Sequence, residues 1–199
     1  MTSNHSTSLE EGYFSEIYAS DADPWRFTES EYEHAKYDST VAALSGRYYE
    51  KGLEVGCSIG VLTERLAKFV RALTAIDITE QPLRWARARN REAKNITFLK
   101  ASFPAQTPPG PFDLIVLSEV LYYLDRTDLA HARSVILDRL TPGGDVILVH
   151  WLGKTDYPLS GDEAAEGFIA LAGPALTTIQ RFRREHYRLD VLRRVPPVA

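Results

Sequence analysis

Between Gly52 and His150 the chain alternates short apolar runs with amphipathic helical runs, and this alternation narrows the fold more than any other feature. Residues 52–55, 72–76, 96–99, 112–117 and 146–150 read as strands, and residues 61–70, 81–94 and 128–140 read as helices. Strand followed by helix, repeated, predicts a parallel sheet covered on both faces. The run 112–117 has no polar residue after Asp113, as expected of a strand buried on both sides. Pro142-Gly143-Gly144 reads as a turn, and residues 104–111 as a proline-rich loop. The end of the chain differs. Residues 176–184 and 187–194 read as strands with no room for a helix between them, hence an antiparallel hairpin. The expected fold class is α/β, with a seven-stranded, mostly parallel sheet finished by a C-terminal hairpin.

With 199 residues, the chain fits a single folded unit. It divides at about residue 46 into an N-terminal helical segment (1–46), broken at Asp23-Pro24, and an α/β domain (47–199). A content of 44% hydrophobic and 25% charged residues excludes disorder and fibrous classes. No apolar run approaches the ~18 residues of a membrane span, and residues 1–12 lack the features of a signal peptide. The single cysteine, Cys57, rules out an internal disulfide and a multi-cysteine zinc site. A cytoplasmic protein is expected, with monomer and homodimer both left open.

Residues 1–50 hold ten acidic and three basic groups, and the whole chain carries −4. That balance argues against a broad nucleic-acid surface. The cluster Arg84, Arg87, Arg89, Arg91 and Lys94 reads first as a solvated helix face and second as a site for an anionic partner.

The chemistry gathers where the expected strands end. The first strand runs into Glu54-Val-Gly56-Cys57-Ser58-Ile-Gly60. Ligands of open α/β sheets bind at the carboxyl ends of strands, and glycine lets backbone approach them closely. The dinucleotide fingerprint Gly-x-Gly-x-x-Gly is absent. Glu54 could organise the turn. Asp77 ends the second strand, 23 residues after Glu54 and followed by Ile78, where an acidic side chain can accept both hydroxyls of a ribose. After the third strand, Ser102 and Phe103 stand where an adenine would lie, one offering a polar contact and the other an apolar face. Ser118 and Glu119 follow the buried fourth strand directly.

Together, Glu54 to Gly60, Asp77, the run Phe112-Asp-Leu-Ile-Val-Leu-Ser-Glu-Val-Leu-Tyr-Tyr123 and Thr141-Pro-Gly-Gly144 resemble the class I S-adenosylmethionine-dependent methyltransferases. Asp23-Pro24-Trp25, Tyr32-Glu33, Leu53-Glu-Val-Gly-Cys57 and Ser118-Glu-Val-Leu-Tyr-Tyr-Leu124 resemble the nodulation protein S-like N-methyltransferases within them. The resemblance spans roughly residues 21–148 and implies a Rossmann-like fold with S-adenosylmethionine as cofactor and S-adenosylhomocysteine as product. By similarity, Gly56, Cys57, Gly60, Asp77, Ser102 and Ser118 line the cofactor site. The rhizobial members methylate the free amine of a deacetylated chitooligosaccharide, which implies an amino sugar or oligosaccharide as acceptor. Residues 150–162 depart from the rhizobial pattern and are expected to shape the acceptor site.

On this reading the N-terminal helices fold over the cofactor as a lid, and Lys36 or Tyr32 meets its methionine carboxylate. Trp25, Tyr32, Tyr122, Trp151 and Tyr157 suit a cationic cofactor and a sugar ring. Tyr122, Trp151, Asp156 and Tyr157 are the expected acceptor contacts. An amine must lose a proton before or during attack, so Glu119, helped by His150, is expected to take that proton or bind the ammonium. A small-molecule O-methyltransferase is the second reading. A nicotinamide oxidoreductase or a non-enzymatic cofactor-binding module is third, disfavoured by the missing fingerprint and the terminal hairpin. Ser118-Glu119-Val120-Leu121 replaces the Asn-Pro-Pro-Tyr type of tetrapeptide used on nucleic-acid amines. No carboxylate cluster has metal-ligand spacing, so no metal is expected.

Overall fold

The computed structural model describes residues 5–44 and 46–196. The expected units 1–46 and 47–199 therefore extend beyond the described residues at 1–4, 45 and 197–199. Seven strands form one sheet: β1 (Tyr49–Val55), β2 (Val70–Asp77), β3 (Ile96–Lys100), β4 (Phe112–Ser118), β5 (Leu140–Trp151), β6 (Leu176–Arg183) and β7 (Tyr187–Arg194). Their order is β3-β2-β1-β4-β5-β7-β6. The first five strands pair in parallel, and β7 runs antiparallel between β5 and β6. The strand order reverses between β1 and β4, which places the switch point of the sheet at Val55 and Ser118.

Helices α1 (Glu11–Ser20) and α2 (Glu31–Ala42) precede the sheet, and α3 (Val61–Leu66), α4 (Glu80–Arg89), α5 (Arg126–Arg139) and α6 (Gly161–Ala172) cover it. β4 is apolar on both faces because both are covered. Ile115 and Leu117 pack with Leu129, Ala132, Ile136 and Phe168 of α5 and α6. Leu114 and Val116 pack with Leu62, Leu66 and Tyr37 on the other side. No helix among the described residues is long and apolar enough to cross a membrane.

Several element boundaries differ from expectation for identifiable reasons. The helix expected over 61–70 stops at Leu66. Asn95 Nδ2 donates to the carbonyls of Ala67 and Val70, and Val70 leaves to pair with Tyr49 in the sheet. The helix expected over 81–94 stops at Arg89, where Asn90 Nδ2 donates to the Ala86 and Gly60 carbonyls. The expected turn at Pro142-Gly143-Gly144 lies inside β5. The pairing jumps from Phe112↔Leu140 to Leu114↔Asp145, so the extra residues form a bulge with Gly143 at φ +75°. Helix α6 was not expected. It starts at a capping box in which Ser160 and Glu163 satisfy each other's backbone N–H groups.

Candidate active site

A cavity of about 390 Å³ opens at the switch point. Its floor is the turn after β1, with Glu54, Gly56, Cys57 and Ser58, and the ends of β2 (Asp77, Ile78) and β4 (Ser118, Glu119). Its roof comes from the N-terminal segment: Phe14 and Tyr18 of α1, Trp25 and Phe27 from the following loop, and Tyr32, Glu33, Lys36 and Tyr37 of α2. Phe103, Tyr122, Tyr123, Trp151 and Tyr157 close the remaining side.

The turn is built around glycine. Gly56 has φ +73°, and a Cβ there would meet Val120 Cγ2 at 2.6 Å. Asp77 stiffens the floor: one carboxylate oxygen accepts from the Ser58 N–H at 2.9 Å, and the other accepts from the Thr79 N–H and hydroxyl. Burial pushes its carboxyl up despite those donors. Glu54 is also buried. Burial pushes its carboxyl up to about 8, with Asp77 adding to the shift, and Oε2 has no hydrogen-bond partner. A buried carboxyl oxygen without a partner beside a glycine-lined floor fits a ligand that brings a hydrogen-bonding group. The Tyr18 hydroxyl and Ser58 Oγ share a 2.5 Å hydrogen bond, which ties α1 to the same turn.

Asp23 shapes the loop that carries Trp25. Its carboxylate accepts from the Phe27 and Thr28 N–H groups and from the Thr28 hydroxyl. Trp25 stacks on Phe27 at 5.6 Å and meets Tyr18 edge-on.

A charged triad occupies the end of the cavity nearest β4. Lys36 Nζ, with a side chain 2% exposed, lies 2.5 Å from Glu119 Oε1 and 2.9–3.0 Å from the Glu33 carboxylate. It also sits 5.3 Å from the Tyr32 ring centroid. Glu119 Oε2 accepts from the Tyr122 hydroxyl at 2.7 Å and from the Trp151 N–H at 2.9 Å. Burial alone would raise the Glu119 carboxyl, but the Lys36 cation and the hydrogen bonds from Lys36 and the Trp151 N–H hold it below the usual range. Burial outweighs Lys36 at Glu33, whose carboxyl is raised. Burial disfavours a charged Lys36, but the two carboxylates overcome this and keep it protonated. The triad therefore carries a net charge of −1 when both carboxylates are ionised.

Of the residues singled out from the sequence, Trp25, Tyr32, Lys36, Glu54, Gly56, Cys57, Asp77, Ile78, Phe103, Ser118, Glu119, Tyr122, Trp151 and Tyr157 line this cavity. Four do not. Gly60 faces α4, where a Cβ would meet Asn90 Nδ2 at 2.7 Å and Ala86 at 3.0 Å, so helix packing accounts for this glycine. Ser102 lies outside the cavity lining, its backbone N–H donating to Gln106 Oε1. Asp156 is exposed outside the cavity. His150 is 0% exposed and lies behind Glu119. Its Nε2 accepts from the Leu121 N–H, and burial pushes its imidazole down to about 4, so it is neutral and placed to hold the segment after Glu119. Sequence reasoning missed Tyr18, Ser58, Glu33 and Tyr37 as cavity residues. Tyr32-Glu33 and Lys36-Tyr37 lie one helical turn apart on α2, and that spacing was the available signal.

The family model described as nodulation protein S (NodS) matches residues 15–185. Nodulation protein S of Sinorhizobium fredii is 30% identical over 163 residues, covering 80% of this chain and 74% of that protein. Nodulation protein S of Bradyrhizobium diazoefficiens is 31% identical, covering 80% and 77%. Among solved structures, the N-methyltransferase NodS of Bradyrhizobium japonicum WM9 in complex with S-adenosyl-L-homocysteine superposes with a TM-score of 0.80 at 28% identity, covering 92% of this chain and 97% of that one. Geometry, family match and these relatives agree: the chain has the Rossmann-like class I methyltransferase fold and belongs to the nodulation protein S family of methyltransferases.

Proposed function

We propose that this protein methylates the amine of an amino sugar or a similar small glycoside, with S-adenosylmethionine as methyl donor. The coarser statement, an S-adenosylmethionine-dependent N-methyltransferase acting on a small molecule, rests on the family match and the solved NodS relative. The cofactor's sulfonium supplies an electrophilic methyl group. The chain's own task is to hold an acceptor in line with it and to manage the acceptor's proton.

The residues present fit such a cofactor. Asp77 Oδ2 accepts from the Ser58 N–H and keeps a lone pair for a ribose hydroxyl, and Glu54 Oε2 is a carboxyl oxygen without a partner. Gly56 lets the turn approach closely, and the rings of Trp25 and Tyr18 suit a cation. Helices α1 and α2 act as a lid, joined to the floor through Tyr18–Ser58 and Lys36–Glu119.

One observation carries the choice of amine: with both carboxylates ionised, the Glu33–Lys36–Glu119 triad leaves a negative charge beside the aromatic side chains at one end of the cavity. A cationic acceptor is attracted there, whereas a neutral hydroxyl gains little. Glu119 binds the ammonium, and Tyr122, Trp151 and Tyr157 offer faces to the sugar ring. His150 serves by positioning the segment that follows Glu119.

Release of S-adenosylhomocysteine, followed over matched pairs of acceptors, tests this reading. Glucosamine and deacetylated chitobiose should be methylated at nitrogen, and their hydroxyl analogues should not. Equal or greater turnover of the hydroxyl analogues would overturn it.

A further inference from the structure

The two carboxylates of the triad are not equivalent. Glu119 is the more firmly held. Oε1 accepts from Lys36, and Oε2 accepts from the Tyr122 hydroxyl and the Trp151 N–H. Its backbone is held at φ +58°, unusual for a residue with a side chain. Protonating Glu119 would sacrifice one of these charge-assisted bonds and leave Lys36 only its longer contact with Glu33. Glu33 is bound less firmly. Its cationic partner is the same Lys36, at 2.9–3.0 Å rather than 2.5 Å, supplemented by the Tyr37 hydroxyl. If Glu33 gains a proton, Lys36 keeps its shorter pairing with Glu119 and no buried charge is abandoned.

We propose that Glu33, on the lid helix α2, is the catalytic residue that takes the proton from the acceptor's ammonium, while Glu119 stays ionised and holds the positive charge. This rests on the amine reading above. In the step, an ammonium N–H bond breaks and its proton passes to a Glu33 carboxylate oxygen. The bonding pair remains on nitrogen as the nucleophilic lone pair. One positive and one negative charge disappear together, so the net charge of the site is unchanged. After turnover Glu33 returns the proton to solvent. Tyr32, Lys36 and Tyr37 of its own helix and Glu119 across the cavity are the titratable groups that face Glu33. The raised Glu33 carboxyl supports the assignment, because it narrows the gap to the pKa of an amine.

The test has two arms. In the first, carboxyl carbon NMR follows ¹³C-glutamate-labelled protein saturated with S-adenosylhomocysteine, with signals assigned by their loss in Glu33→Gln and Glu119→Gln. The signal of Glu33 should titrate above the ordinary glutamate range and that of Glu119 below it; the reverse order overturns the proposal. In the second, turnover of glucosamine is measured against pH. Glu33→Gln should lower kcat roughly 100-fold or more near neutral pH, with the deficit shrinking as the pH rises and free amine accumulates. Glu33→Asp, which keeps a carboxylate, should recover part of the rate. A deficit independent of pH would mean that Glu33 is only structural. If wild-type protein methylates no amine, the amine reading fails, and the NMR order alone decides whether Glu33 is the group poised to take a proton.

Discussion

Lys36 Nζ on α2 lies 2.5 Å from Glu119 Oε1 at the end of β4, so the N-terminal helix and the switch point of the sheet meet through one buried ion pair. Both side chains are largely out of water, and the cation has a second carboxylate, Glu33, on its other side. Removing the cation would leave two buried carboxylates facing each other. Lys36→Met is therefore expected to destabilise the fold by about 3–5 kcal/mol. Chemical denaturation of the two proteins checks this, and equal midpoints would show that the pair is not a structural link.

Glu119→Gln keeps the shape and hydrogen-bonding reach of the side chain but removes its charge. Turnover of an amine should fall by about two orders of magnitude or more, while the affinity for S-adenosylhomocysteine changes by no more than a few-fold. Steady-state kinetics paired with calorimetry separates the two effects. An unchanged rate would remove Glu119 from the acceptor site.

Gly56 has no room for a side chain. In Gly56→Ala a methyl group would meet Val120 Cγ2 at 2.6 Å, and the backbone would be held at φ +73°. The left-handed backbone alone costs about 1–2 kcal/mol. The variant should melt lower and lose most of its affinity for S-adenosylhomocysteine. Wild-type affinity would show that the turn does not contact the cofactor.

Glu54 links stability to pH. Its carboxyl is pushed up to about 8 by burial, against an ordinary value of 4.5. The folded chain thus holds this proton more tightly than the unfolded chain does. The group's contribution to stability is full below about pH 4.5 and is lost as the pH rises through about 8. Glu54→Gln removes the buried charge and should melt higher than the wild type above pH 8. Melting temperatures taken from pH 5 to 9 should diverge; parallel curves would contradict the assignment.

Much of this architecture was legible in the chain because parallel strands buried on both faces leave continuous apolar runs. Leu114 to Leu117 and Val146 to Val149 are examples. Helix ends were less legible, because Asn90 and Asn95 cap carbonyls that belong to other elements. Helix α6 carries a readable signal in Ser160, Glu163 and the spacing of Ala164, Phe168 and Ala172, although it lies outside the run of alternating strands and helices. In the site, Asp77 and the turn at Gly56 could be placed because their spacing along the chain is local to one βαβ unit. Glu33 and Tyr18 could not. What sets them apart is the contact of Tyr18 with Ser58 and of Glu33's partner Lys36 with Glu119, and Ser58 and Glu119 are distant in sequence from α1 and α2. Alternation along β5 likewise gives no warning that α6 and the hairpin pack against His150 and bury it completely.

The cavity between α1, α2 and the ends of β1, β2 and β4 is the proposed cofactor site. The most direct test is calorimetric titration of the purified protein with S-adenosylhomocysteine and, separately, NAD. The expected result is one S-adenosylhomocysteine bound per chain, no heat from NAD, and an affinity lowered roughly 10- to 100-fold by Asp77→Asn, the loss expected when a charged acceptor is neutralised. Binding of NAD, or S-adenosylhomocysteine affinity that Asp77→Asn and Gly56→Ala leave unchanged, would contradict it.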